Sequence, residues 1–370
     1  MKAASIVIAA ALAVVASAGR AYAYPQFELA KDQSCSGCHL SPTGGGPLSE
    51  NGMVTAEAIS KFGMNPEFMY GAVKTPDWLV VGGDLRGAYG YLQAPQRYIV
   101  GFPMQADFYG VVTQKNFSLH VTAGFRPEED GNEAATHFWS REHYAMWQSQ
   151  PGSPEGLFVR AGRFMPVFGL RLAEHNVYTR RYGGTPLYAD TYGIGASYIS
   201  SKIDAHITGF VKDPLIDPVN LYSGAAIYSE LSINPLLKIG AGGMVQVSDF
   251  DHKFRGTLTA KHYIPSADLL IQAEVQIVNP HVSDFGYMQT VGYLMATKFL
   301  PAGLMLDIGL GHFDSNIRIK GLDRDCVDAN LHWFATSHIE LMLTNRLELM
   351  DFGNGGPTGA YSLLMAHYRL

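Results

Sequence analysis

The chain has 370 residues and a formal net charge of −6; 47% of its residues are hydrophobic, 16% charged and 12% aromatic. A mean hydropathy of +0.01 excludes a bundle of transmembrane helices, and the low net charge with many aromatics is the reverse of a disordered composition. There is no basic run, so no nucleic acid is expected as a partner. Low charge with 40 Gly and 20 Tyr fits a transmembrane β-barrel instead. In such a barrel lipid-facing and lumen-facing residues alternate and cancel in the average.

Met1-Lys2, an apolar run from Ala3 to Ala18, and Ala21-Tyr22-Ala23 follow the order of an export signal. The apolar run is shorter than the ~20 residues a spanning helix needs. Residues 1–23 therefore read as a signal peptide cleaved before Tyr24.

Cys35-Ser36-Gly37-Cys38-His39 comes next. This is the attachment pattern of a c-type haem: two thiols form thioethers, and the adjacent imidazole reaches the iron as proximal ligand. Attachment takes place in exported proteins, so motif and leader agree. A zinc site would need two further ligands, and the next cysteine is the distant Cys326. A redox pair would need a βαβ setting, and a Cys35–Cys38 disulfide would leave His39 unexplained. One covalently bound c-type haem is expected within residues 24–72. Its sixth ligand is open. Met64, in the turn Gly63-Met64-Asn65-Pro66, is the first candidate and Met53 the second; a thioether would raise the potential. A lumen histidine such as His120, or an open site, is the alternative. The segment Ser41 to Pro47 lacks the Lys-Ser/Thr of a phosphate loop.

From about residue 78 the hydrophobic period becomes two. Leu269, Ile271, Ala273, Val275 and Ile277 share one face, against Asp268, Gln272, Glu274 and Gln276. Ile203, Ala205, Ile207 and Val211 likewise oppose Asp204, His206 and Thr208. The second faces carry too much charge for a dry core, and an aqueous lumen accommodates them. About sixteen segments of this kind occupy residues 73–370. They predict an all-β fold: a transmembrane antiparallel β-barrel of about 16 strands behind a small N-terminal haem domain. Connections are short on one side and longer on the other. The longest, Phe164 to Thr191, holds Arg171, Glu174, His175, Arg180 and Arg181 and is a candidate to fold inward and narrow the pore. Glu128-Glu129-Asp130 with Glu133, and Asp323, Asp325 and Asp328 around Cys326, are placed in outer loops as candidate oxygen sites for hard cations. Cys326 itself reads as a leftover loop thiol.

A leader, one Cys-x-x-Cys-His and a barrel of about sixteen strands together resemble the fused monohaem cytochrome–porins of the bacterial outer membrane, which include iron oxidases. At motif level the resemblance rests on Cys35, Cys38 and His39. Members often continue into a Pro-x-Leu-Thr-x-Phe-Gly-Arg-like stretch, whereas this chain reads Pro42-Thr43-Gly44-Gly45-Gly46-Pro47-Leu48. The resemblance implies an electron-transfer oxidoreductase in outer-membrane lipid. It would oxidise an extracellular donor such as ferrous iron and pass electrons to a periplasmic cytochrome. The alternative is a diffusion porin whose haem segment is a redox-responsive or structural plug. A haem enzyme with an open distal site is a weaker third reading.

Overall fold

The computed structural model describes residues 26–30, 34–93, 96–125, 138–186, 189–213, 222–249, 251–281, 288–350 and 357–370. The export signal and the Glu128–Glu133 acids lie outside them. Sixteen strands run among the described residues, from β1 (Leu79–Gln93) and β2 (Arg97–Gln114) to β15 (Ile339–Met350) and β16 (Pro357–Arg369). Each pairs antiparallel with its sequence neighbours. β1 also pairs with β16, from Asp84↔Arg369 to Gln93↔Ala360, which closes the barrel. Closure leaves no exposed sheet edge.

The strands are inverted relative to a water-soluble sheet. In β7 (Ile203–Val211), Asp204, His206 and Thr208 are buried, while Ile203, Ile207 and Val211 are exposed. β11 (Leu269–His281) buries Gln272, Glu274 and Gln276 and exposes Val275 at 55%. A dry core would bury the isoleucines and valines. Here they form an apolar outer belt, the surface a bilayer covers. The polar faces line the lumen, and many of their charges pair with one another, as buried charges require. Asp328 accepts from Arg346 Nε at 2.6 Å and Nη2 at 2.8 Å.

Turns at one end are short: residues 115–116 join β2 to β3 (Phe117–Phe125), and 301–303 join β12 (Gln289–Leu300) to β13 (Leu304–Asp314). The expected segments and the observed strands agree closely, with one consequential correction. β14 spans Asp323–Phe334 and begins earlier than the alternation alone implies. Asp325, Cys326 and Asp328 are therefore wall residues, not loop residues, each 3% exposed or less. His312 holds Asp325 at 2.8 Å and Arg346 holds Asp328, so these acids are spent on internal pairs. Polar residues at the start of β14 read as loop because charge on a strand is unusual outside a wet lumen. Cys326 is 1% exposed, too buried to crosslink another chain.

The connection from β5 (Gly156–Phe164) to β6 (Thr191–Ile199) folds inside the barrel. Its short helix α4 (Tyr178–Arg181) packs on β11, β12 and β13. Leu170 N–H donates to Glu274 at 3.1 Å, and Gln276 Nε2 donates to the Thr179 carbonyl at 3.0 Å. Gly169 sits at φ +69°, and a Cβ there would meet Glu274 Oε1 at 1.9 Å. Only glycine permits this close approach to the wall.

The N-terminal segment enters the barrel at the short-turn end. It carries helices α1 (Phe27–Ala30), α2 (Cys35–Cys38) and α3 (Glu50–Ile59). Phe27 packs on Phe299 at 5.0 Å between ring centroids and joins Ile59, Leu270, Met305 and Phe334 in one apolar cluster. Glu28 is held by Lys238 at 2.8 Å and Lys261 at 2.7 Å. Lys61 N–H donates to the Phe334 carbonyl at 2.9 Å, and Ser337 Oγ donates to the Met64 carbonyl at 3.0 Å. A segment this short builds little core of its own, and the barrel wall supplies the rest.

Candidate functional site

Cys35 and Cys38 stand one turn apart on α2, and His39 follows as its C-cap, with its N–H donating to the Cys35 carbonyl. The chain then doubles back. His39 bridges Leu48 antiparallel, and the turn between them passes through Gly44, Gly45 and Gly46 at φ +82°, +76° and +61°. Three consecutive left-handed residues restrict this turn to glycine. Ser49 caps α3 by accepting from Gly52 N–H at 3.1 Å, and its hydroxyl donates to the Gly37 carbonyl at 2.8 Å. This cap ties α3 to the motif helix.

Gly52 has a steric role. A Cβ there would fall 2.0 Å from the Cys38 carbonyl oxygen. That oxygen accepts from Ser49 N–H and is backbone, so it cannot swing away. Gly52→Ala should push α3 off the motif, at a cost of about 1–3 kcal/mol for overpacking. Covalent haem per barrel, read by in-gel haem stain, should fall while barrel assembly persists; unchanged loading would refute the packing role.

Burial pushes the Cys35 thiol up to about 12 against the pull of Arg171, and burial also raises Cys38. Reactive cysteines are held low instead, so neither sulfur is a poised thiolate. Desolvation, then Arg369, lowers His39 to about 4, which leaves its imidazole neutral at pH 7. Its Nδ1 is buried and makes no hydrogen bond. Among the described residues, the one carboxylate, His or Cys cluster of metal-ligand geometry is Glu28, Asp204 and Glu230. Lys238, Lys261 and Arg171 already pair with it, so it offers a cation little.

His39 borders two cavities inside the barrel. One, of about 310 Å³, lies between the glycine turn and the inward loop. The other, of about 930 Å³, reaches the short-turn end and has His120 and Met146 in its wall. The Cδ2 edge of His39 lies against the glycine turn, 4.0 Å from where a Cβ on Gly44 would stand. Two sulfurs one turn apart with an imidazole beside them suit a c-type haem; His39 borders both hollows, and neither cysteine is in the lining of either. Pockets of ~300–1,000 Å³ hold ligands of that order of size.

Of the other expected ligands, His120 shares the larger cavity with His39, and the two methionines line neither. Met64 is 47% exposed at the short-turn rim, and Met53 is half-buried on α3. His120 bonds Ser118 at 2.9 Å and stacks on Tyr144 at 4.6 Å. Sequence reasoning kept to methionines near the motif and so passed over Met165, which lines the smaller cavity with His39. The available signal was Met165-Pro166 at the root of the longest connection.

A closed antiparallel barrel of sixteen strands, with a connection folded into its lumen, is the fold of the outer-membrane porins. The chain is similar to OmpT of Vibrio cholerae, at TM-score 0.60 and 12% identity over 80% of this chain and 100% of that one. It is similar to Salmonella typhi OmpF, at TM-score 0.62 and 10% identity over 79% and 97%. An anion-selective porin from Comamonas acidovorans gives TM-score 0.57 and 11% identity over 79% and 98%. No family model and no curated protein matches the sequence.

Proposed function

We propose that this chain is an outer-membrane electron-transfer protein: a porin-type barrel that carries one c-type haem in its lumen on Cys35, Cys38 and His39. The observation that carries the reading is the position of the motif helix. It lies inside the barrel, with His39 on the wall of an arginine-bearing hollow. The haem supplies one-electron chemistry. The protein's own residues do the rest. Cys35 and Cys38 fix position through two thioethers, and His39 supplies a neutral nitrogen. Arg86, Arg171 and Arg369 offset anionic groups in the hollow. The N-terminal segment and the inward loop occupy lumen that an open channel would leave to water. Overall, one electron leaves a donor outside and one oxidised periplasmic cytochrome gains it. Ferrous iron as donor rests on the resemblance of the motif and architecture to cytochrome–porins.

A second reading, a diffusion porin with a haem-bearing plug, is supported by the porin fold and by the large cavity at the short-turn end. Arginines in the lumen suit an anion path in that case, as in the Comamonas porin described as anion-selective.

Stopped-flow absorbance of haem-loaded protein in detergent, mixed anaerobically with ferrous iron, tests the first reading. Rapid haem reduction, abolished in His39→Ala, is expected. Reduction by dithionite but not by ferrous iron would remove the iron donor. Planar-bilayer conductance separates the second reading: currents of porin size from the intact, haem-loaded chain would favour the diffusion porin.

A further inference from the structure

We propose that Met165, from the inward loop of the barrel, is the sixth ligand of the haem; this rests on the haem reading above. The cavity of about 310 Å³ is lined both by His39 with the glycine turn and by residues of the inward loop between Met165 and Ala173. Three side chains in its wall end in a nitrogen or sulfur of a type that ligates haem iron: His39, His367 and Met165. His367 is committed. Its Nε2 pairs with Asp84 at 2.8 Å and its Nδ1 with Glu340 at 3.1 Å. Recruiting it would leave a buried carboxylate short of its partner, which is costly. Met165 has no such obligation. A thioether makes only weak hydrogen bonds and bends into irregular space.

The rest of the wall suits the same occupant. Val167, Phe168, Leu170 and Leu172 are each 4% exposed or less and give the apolar face a macrocycle requires. Arg86, Arg141, Arg171, Arg180 and Arg369 also line the hollow, against the carboxylates Asp84, Glu142 and Asp190. Arg171 and Arg141 draw part of their compensation from Asp204 and Asp107 behind the wall. The lining carries five guanidiniums against three carboxylates, a difference those two acids offset, and guanidinium groups take carboxylates in paired hydrogen bonds. The two haem propionates are such carboxylates. Gly45 and Gly46 would meet nothing within 4 Å of an added Cβ, so the hollow runs up to their backbone.

Ligation by Met165 couples barrel to haem. His39 comes from the N-terminal segment and Met165 from the inward loop. The bond would pin the loop across the lumen, and the thioether would raise the haem potential relative to an imidazole.

The test uses full-length, haem-loaded protein in detergent. Covalent haem is first counted by pyridine haemochrome; its absence from the wild type would end the haem reading itself, and this inference with it. With haem present, the ferric wild type should show the long-wavelength charge-transfer band of a thioether–iron bond. Met165→Leu should lose that band, bind carbon monoxide on reduction and show a lower midpoint potential. Met165→His should give a bis-imidazole spectrum, a gain that a misfolded barrel would not produce. Met64→Leu, Met53→Leu and His120→Ala should leave the spectrum unchanged. Retention of the band in Met165→Leu, its loss in one of those three controls, or its absence from the wild type would overturn the assignment.

Discussion

Glu28→Gln should loosen the N-terminal segment from the barrel wall and raise the conductance of the reconstituted protein. Glu28 is 6% exposed and bridges two lysines of the lumen, Lys238 at 2.8 Å and Lys261 at 2.7 Å. Removing one partner of a buried ion pair costs ~3–5 kcal/mol, because the other charge is left uncompensated. Lys261 keeps Glu230 at 2.7 Å, so the loss falls mainly on Lys238 and the lower figure applies. About 3 kcal/mol is roughly a hundredfold in the ratio of docked to released segment. The same contact predicts a pH dependence. Burial alone would raise the Glu28 carboxyl, but Lys261, Lys238 and Arg171 together hold it down to about 2, from an ordinary 4.5. A carboxylate with a lowered folded pKa stabilises the docked state above its unfolded pKa, and that contribution fades as pH falls toward the folded value. Wild-type conductance should therefore rise as pH falls from about 4.5 toward 2. Glu28→Gln should already be raised at pH 7 and change less over that window. Equal single-molecule conductance of both proteins at pH 7 and at pH 3 would count against this anchor.

The second large effect is expected at Arg346. It gives Asp328 two hydrogen bonds at 2.6 and 2.8 Å and gives a third to the carbonyl of Asn176 in the inward loop. Its guanidinium also lies 5.4 Å from the Tyr178 ring centroid. Arg346→Leu leaves Asp328 buried with Tyr293 at 2.9 Å and the weak thiol donor of Cys326 at 4.0 Å. The cost is again ~3–5 kcal/mol. Part of it appears as release of the loop, since the Asn176 contact goes too. Trypsin cleavage at Arg180 and Arg181 should accelerate at least about tenfold, as expected when protection follows the local opening equilibrium. Arg346→Leu combined with Asp328→Leu removes both charges and should recover most of the barrel's stability, because the desolvation penalty goes with them. It should not restore loop protection, because the bond to Asn176 is still missing. Unchanged cleavage of Arg346→Leu would show that the other loop contacts suffice.

Both anchors bear on function. The N-terminal segment brings the Cys35–His39 motif, and the inward loop brings Met165 and Arg171, to one hollow. Neither element makes the site alone. The barrel holds them in register through lumen charges that would be prohibitive in a dry core but are paired here.

The barrel was legible in the sequence because a lipid-exposed strand with a wet inner face leaves a period of two. Ile203 to Val211 and Leu269 to Ile277 display that period without ambiguity, and strands stand at both places. The motif Cys35-Ser36-Gly37-Cys38-His39 was legible because three functional groups sit within five residues. β14 was misread at its start because Asp323, Arg324 and Asp325 look like loop to any rule that keeps charge out of strands. Their carboxylates were taken as a cation site for the same reason.

The sequence by itself thus determined the number of strands and which face of each is wet, since both depend on residues that are near neighbours in the chain. Only the tertiary structure decided which residues share a hollow with His39. Met165 lies 126 positions away in sequence, Arg369 lies 330 away, and both reach the His39 hollow only after β1 has paired with β16 and the loop has folded inward. Periodicity reports which face of a strand is wet. It carries no information about which residues meet across the lumen, because that is fixed by barrel closure and by the glycine turns that aim the two inserted segments at each other.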